Sequence, residues 1–314
     1  MKRILILTLF VSCSCFISAQ QLPDYTQYPS QLFALNPAYT GTKGTLDVRA
    51  SYRRQWMGYE GAPETRFVGA HSRLFKGKLG LGGTLYQDFT GPSRRFNYAF
   101  SAAYHLRFPD VEFCVGIGMN FDKYFLDSGV LTTHWEGDPA INIGVVEFQK
   151  KKNAMAGLLL YNDRFHFGLG VYNVLSSTIT FGGIGATVAY KQHYYFTTGY
   201  NFHGHPDFVW ENNIMALYVD GLPLTLNYNL RVHYREKFVF GTALRLRDAV
   251  ALQAGMVVLN RCQIIYSYDI GYSRLRKAHN GSHELTIGYR LDYDKKKGGY
   301  KNFDSFQRQR YNVF

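Results

Sequence analysis

Cysteine is scarce, with four in 314 residues, and two of the four, Cys13 and Cys15, sit near the start of the chain. Once a leader is removed only Cys114 and Cys262 are left, so a disulfide framework is excluded. Long apolar runs are also missing. Nothing in the chain supplies the ~20 apolar residues that a helix needs to cross ~30 Å of hydrocarbon, and mean hydropathy is slightly negative at −0.21. Acidic residues are few, 23 against 35 Lys and Arg, for a net charge of +12. Such a basic chain can face anionic lipid, peptidoglycan or acidic protein.

The first residues form a secretory signal. Lys2 and Arg3 precede an apolar run from Ile4 to Val11, followed by the small residues Ser12, Ser14, Ser18 and Ala19 and then Gln20 and Gln21. Cleavage is expected after Ala19 or Gln20, giving a signal peptide over 1–19. Loss of Lys2 and Arg3 takes the charge from +12 to +10 (12 − 2). Val11-Ser12-Cys13 also resembles a lipoprotein processing site, which would leave Cys13 lipidated. Export leaves nucleic acid out of the partner set.

Aromatics are plentiful at 17%, with 25 Tyr and 24 Phe, and they fall in alternating runs. From Arg95 to Phe108 one face carries Phe96, Tyr98, Phe100, Ala102, Tyr104, Leu106 and Phe108. The other carries Arg95, Asn97, Ala99, Ser101, Ala103, His105 and Arg107. Leu224–Tyr234 and Glu284–Tyr293 repeat the split. Alternation this long, with one face suited to lipid and the other to water, predicts an all-β, transmembrane antiparallel up-and-down β-barrel.

About 14 strands are expected, within a range of 12–16, over a barrel spanning 45–293. They are Thr45–Trp56, Thr65–Leu74, Lys78–Phe89, Arg95–Phe108, Glu112–Phe125, Ala154–Tyr161, Phe165–Leu175, His193–Phe202, Phe208–Val219, Leu224–Tyr234, Phe238–Leu246, Val250–Leu259, Gln263–Tyr272 and Glu284–Tyr293. The long connections, Met57–Glu64, Leu126–Asn153, Ser176–Gln192 and Ser273–His283, all follow odd-numbered strands and so share one side. Bacterial barrels put long loops outside and short turns in the periplasm. Both termini are then expected in the periplasm: an N-terminal segment over 20–44 and a basic C-terminal tail over 294–314, each available to periplasmic partners.

Catalytic chemistry finds little purchase. His71-Ser72 and His134 lack a fixed base or nucleophile beside them, so no catalytic residue is assigned. His203-Gly204-His205 offers two imidazoles in a turn before Pro206 with no third ligand, and no metal or cofactor is expected. Gly80, Gly82, Gly116, Gly118, Gly168 and Gly170 alternate along strands without a following helix. That fits relief of crowding in the barrel wall, not a phosphate-binding loop. Lys150-Lys151-Lys152 reads as a solvated charge run in the longest loop. Inward Arg, Asn, Asp and His can either line a pore or pair with one another.

Several stretches resemble the PorP/SprF family of Bacteroidota outer-membrane proteins. They are Asn36-Pro37-Ala38-Tyr39-Thr40-Gly41, Arg54-Gln55-Trp56, His193-Tyr194-Tyr195-Phe196 with Gly199-Tyr200, Tyr266-Ser267-Tyr268-Asp269-Ile270, and Gly281 with Ser282-His283-Glu284-Leu285. The resemblance implies a part in the type IX secretion system and gliding machinery. Its partners would be a periplasmic ring lipoprotein and associated components, or a large surface adhesin, besides outer-membrane lipids. The motif positions Asn36, Pro37, Gly41, Arg54, Gln55, Trp56, Tyr268, Asp269, His283 and Glu284 are candidates for barrel shaping or partner binding. In bare physical terms, Asn-Pro followed by Gly is turn chemistry, Trp56 suits an interfacial girdle, and Asp269 is placed to pair with an inward Arg such as Arg290. A non-catalytic docking barrel is the function expected, with a passive pore or small-solute transporter as the alternative.

Overall fold

The computed structural model describes residues 24–43, 46–74, 77–127, 146–175, 177–181, 186–259 and 261–291. Its strands are β1 (Leu46–Arg54), β2 (Glu64–Leu74), β3 (Leu79–Thr90), β4 (Ser93–Arg107), β5 (Glu112–Asp127), β6 (Val146–Tyr161), β7 (Phe165–Tyr172), β8 (Ser177–Phe181), β9 (Ala186–Tyr190), β10 (His193–His205), β11 (Phe208–Val219), β12 (Thr225–Tyr234), β13 (Phe238–Arg245), β14 (Ala249–Val258), β15 (Cys262–Gly271) and β16 (Ser282–Leu291). All except β8 and β9 form one closed antiparallel barrel, each strand paired with its neighbours along the chain. The first and last strands close it in register from Leu46↔Leu291 to Arg54↔His283. Closure leaves no edge strand, so every strand can satisfy its backbone polar groups within the wall, which a hydrocarbon environment requires. Among the described residues no helix is long and apolar enough to cross a membrane.

The period-two pattern sets which face is which. On β4 the outward Phe100 is 62% exposed, while Arg95, Asn97, Ala99, Ala103 and His105 on the other face are buried. The same split turns Ile117, Leu169, Leu252 and Ile287 outward, giving the wall an apolar exterior. Inward charges pair along and between strands: Arg49 Nε lies 2.6 Å from Asp47 on the same strand, and Arg95 Nε on β4 lies 2.8 Å from Asp122 on β5.

Three expectations change. Residues 126–153 are not all loop, because β6 begins at Val146 and pairs with β5 as far as Asp127↔Val146. The three lysines interrupt the apolar alternation but not the backbone ladder; Lys150 lies over the Phe148 ring at 5.1 Å. The connection from β7 to β10 contains its own hairpin, β8 with β9. Third, residues 24–43 are not a free periplasmic segment but lie inside the barrel. Tyr25, Tyr28, Phe33, Leu35 and Tyr39 pack there against the wall residues Phe67, Tyr86, Leu159, Tyr172 and Tyr195. The basic tail at 294–314 lies outside the described residues.

Candidate functional site in the barrel lumen

The lumen is filled by the N-terminal segment, which is held at three levels. Nearest the long-connection end is a buried charge cluster. Arg53 on β1 places Nη2 2.8 Å from Asp269 on β15 and Nη1 3.0 Å from Glu284 on β16, all with side chains at most 1% exposed. Thr26 completes the cluster: its N–H donates to Glu284 at 2.8 Å, its hydroxyl donates to Asp269, and its oxygen accepts from Arg53 Nη1 at 2.8 Å. Gln27 Nε2 donates to the Ile265 and Glu284 carbonyls and to Ser267. Arg245 supplies a second cation, 3.4 Å from both Asp269 and Asp24. Arg53 and Arg245 thus face the carboxylates of Asp269, Glu284, Asp24 and Asp248 in a place where an unmatched charge is costly.

At mid-height the chain turns on Asn36. Its Oδ1 accepts the Ala38 N–H at 2.9 Å, capping the 3-10 turn Pro37–Tyr39. Its Nδ2 donates to the Leu158 and Leu169 carbonyls, 3.2 and 3.0 Å away on β6 and β7. Pro37 fits the first position of the turn, where no N–H is needed. The turn lies directly on a lane of wall glycines. A Cβ on Gly157 would sit 1.9 Å from Asn36 Oδ1, one on Gly116 2.2 Å from the Ala38 nitrogen, and one on Gly80 2.1 Å from the Thr40 oxygen. A side chain there collides with the segment, which accounts for Gly80 and Gly82 on β3, Gly116 on β5, Gly157 on β6 and Gly168 and Gly170 on β7; a Cβ on Gly118 would instead meet Met155 and Phe100 of the wall.

At the same height Tyr39 OH meets Thr197 at 2.8 Å, and Thr40 Oγ1 meets Ser101 at 2.8 Å. Toward the short-turn end, Gly41, at φ +86°, donates its N–H to His71 Nδ1 at 3.0 Å. The Thr40 carbonyl lies 2.9 Å from His105 Nε2, and a carbonyl only accepts. His105 therefore carries a proton on Nε2, and its Nδ1 lies 2.9 Å from the Cys114 thiol and 3.3 Å from Glu112 Oε1. His105, Cys114 and Glu112 are the only three described residues grouped closely enough to hold a metal. Glu112 is already engaged by the Arg73 guanidinium and by Tyr161 OH at 3.0 Å. A cation beside that arginine would be repelled, so the group serves the fold.

The other side of the lumen holds Arg95, its guanidinium 5.3, 5.1 and 5.6 Å from the rings of Tyr86, Tyr124 and Tyr190. Tyr190, the last residue of β9, is buried beside this guanidinium, and its hydroxyl accepts from Arg95 Nη2 at 2.8 Å. A cavity of about 100 Å³ lies near the short-turn end, bordered by Thr42, Lys43, Asp47, Glu211 and His233.

The motif residues divide into two groups. Asn36, Pro37, Gly41, Asp269 and Glu284 meet inside the lumen. Arg54, Gln55, Trp56, Tyr268 and His283 do not; they brace the rim, with Arg54 exposed and facing outward. The Gln55 N–H donates to the Pro63 carbonyl at 2.9 Å, and Trp56, at φ 47°, donates its N–H to Ser282 Oγ at 3.1 Å. Tyr268 donates to the Asn280 carbonyl at 3.0 Å and its ring lies 5.0 Å from that of His283. Asp269 does face the lumen, but it pairs with Arg53 and Arg245. Arg290 sits at the opposite end of the adjacent strand and pairs with Asp47 at 3.3 Å. His71 accepts from Gly41 and packs on Phe33 at 4.4 Å, which leaves no role as a base for Ser72. His203 and His205 end β10, and His205 Nδ1 accepts the Asp207 N–H at 3.1 Å. His134 lies outside the described residues. Sequence reasoning missed Arg53, Thr26 and Gln27; the inward phase of Arg53, one residue before Arg54-Gln55-Trp56, was the available signal.

Residues 17–289 match the family described as type IX secretion system membrane protein PorP/SprF. The chain belongs to this family. No protein of curated function matches the sequence. Among solved structures the chain is similar to the CymD monoaromatic hydrocarbon channel, with 12% identity, TM-score 0.52, and coverage of 84% of this chain and 93% of that one. It is also similar to outer membrane protein Omp33 of Acinetobacter baumannii, at 7% identity and TM-score 0.46, over 79% of this chain and 98% of that one. A Pseudomonas aeruginosa FadL homologue gives 9% identity and TM-score 0.43 over 78% and 88%. Of these three likenesses the first alone reaches a TM-score of 0.5, and at 12% identity it shows the barrel fold and nothing more. Family and fold together make the chain an outer-membrane β-barrel component of the type IX secretion system.

Proposed function

We propose that this barrel is a non-catalytic anchor of the secretion apparatus, docking periplasmic ring components and supporting export or display of a surface adhesin. The observation that carries it is the occupied lumen. Residues 24–43 hydrogen-bond to wall residues on β1, β2, β4, β6, β7, β10, β12, β15 and β16, an investment that a solute channel would have to undo. That weighs against the passive pore. A rigid cylinder with tight turns at one end and long connections at the other offers separate faces to periplasmic and surface partners.

The test has two parts. The purified protein in a planar bilayer is expected to show no steady open-channel conductance. Ring components are expected to co-purify with the full chain and to be lost on deletion of 294–314. Steady conductance together with unchanged co-purification would overturn the docking reading.

A further inference from the structure

The direction in which the segment threads the barrel has a topological meaning. Asp24 faces Arg245 Nη1 and Asn227 Nδ2, each at 3.4 Å, where β13 ends and β12 begins. Tyr25 packs on Phe67 at 5.9 Å near the start of β2. Thr26 is tied to Arg53, Asp269 and Glu284, all within two residues of the ends of β1, β15 and β16. These strand ends share one mouth, the one from which the connections 55–63, 128–145, 173–192 and 272–281 arise. At the other extreme, Thr40 meets His105 near the end of β4, and a Cβ on Gly41 would meet Gly80 at the start of β3. The chain then enters β1 at Leu46 at that same mouth. Between Asp24 and Lys43 the segment therefore runs the length of the lumen, opposite in direction to β1.

Long connections mark the extracellular side of such barrels. We infer that the Asp24 end of the lumenal segment faces the cell surface through the extracellular mouth, with its Lys43 end toward the periplasm. The expectation of a periplasmic N-terminus is thereby reversed. Of the lumenal segment, a periplasmic partner meets only the Thr42–Lys43 end, beside the short turns. The inference rests on the threaded lumen and not on docking to the ring. Surface presentation should be the same in cells lacking ring components, so the two ideas can fail separately.

An epitope tag inserted between Gln21 and Leu22 tests it, with the same tag inserted within 128–145 and within 235–237 for comparison. On intact cells, antibody should label the N-terminal and 128–145 tags alike and leave the 235–237 tag unlabelled until the outer membrane is permeabilised. The inference is overturned by an N-terminal tag that is labelled only after permeabilisation, or that is missing from the mature protein. Should the tagged chain fail to assemble, Asp24→Cys and Lys43→Cys in a Cys262→Ser background give the same readout. A membrane-impermeant maleimide should modify the first in intact cells at least about ten times faster than the second; equal or reversed rates refute it.

Discussion

Replacing Arg53 with Met keeps most of the side-chain volume and removes the charge that joins Asp269, Glu284 and Thr26. Asp269 retains Arg245 at 3.4 Å. Glu284 is left with only the backbone N–H groups of Thr26 and Gln27, at 2.8 and 3.3 Å. Breaking a buried ion pair by deleting one partner costs about 3–5 kcal/mol, which is roughly two to three and a half decades in the folding equilibrium. Urea titration of the protein in lipid vesicles, read by the heat-sensitive gel mobility of the folded barrel, should show the loss. At slopes of ~1–3 kcal/mol/M the midpoint falls by at least about 1 M. The structure also says which second change should help. Arg53→Met with Glu284→Gln removes the orphaned carboxylate and should recover more stability than Arg53→Met with Asp269→Asn. A single variant within about 1 kcal/mol of wild type, or a double variant with Glu284→Gln no better than the single, would refute the cluster as the clamp of the segment.

Two further substitutions separate the wall from its filling. Gly157→Leu puts a side chain where Asn36 Oδ1 now lies, 1.9 Å from the Cβ position, and should expel the turn and open steady conductance in bilayers; Gly83→Leu, whose Cβ meets nothing nearer than 3.4 Å, should leave the barrel closed. Phe100→Lys places a charge on the outward face of β4, where Phe100 is 62% exposed, and should cost about 2–4 kcal/mol in vesicle unfolding without altering conductance.

The wall was legible because the alternation of Phe96, Tyr98 and Phe100 with Arg95, Asn97 and Ala99 answers to a single constraint, lipid on one side and the hollow on the other. The filling was not. Tyr25, Tyr28, Phe33, Leu35 and Tyr39 show no sustained period-two alternation, and Pro29 and Pro37 interrupt the helical spacing of the same stretch. The partner of Asp269 could not be read either. Arg290 lies on the next strand, but the antiparallel register sets Ser282 opposite Asp269 and carries Arg290 to the far end, whereas Arg53 arrives across the β1–β16 closure. The glycines could be placed on their strands from the sequence, but what they accommodate became visible only with the Asn36–Thr40 turn laid across them.

Thr26 and Gln27 bind residues of β15 and β16, more than 230 positions away along the chain, at the line where the last strand meets the first. The cylinder can zip shut around the segment, but a segment left outside would have to be threaded through a finished tube. Assembly thus has a built-in order, in which the earliest exported residues wait to be embraced by the latest. A chain that seals without them would carry Arg53, Asp269 and Glu284 facing an unfilled core, and such a product should be the one that quality control in the periplasm removes.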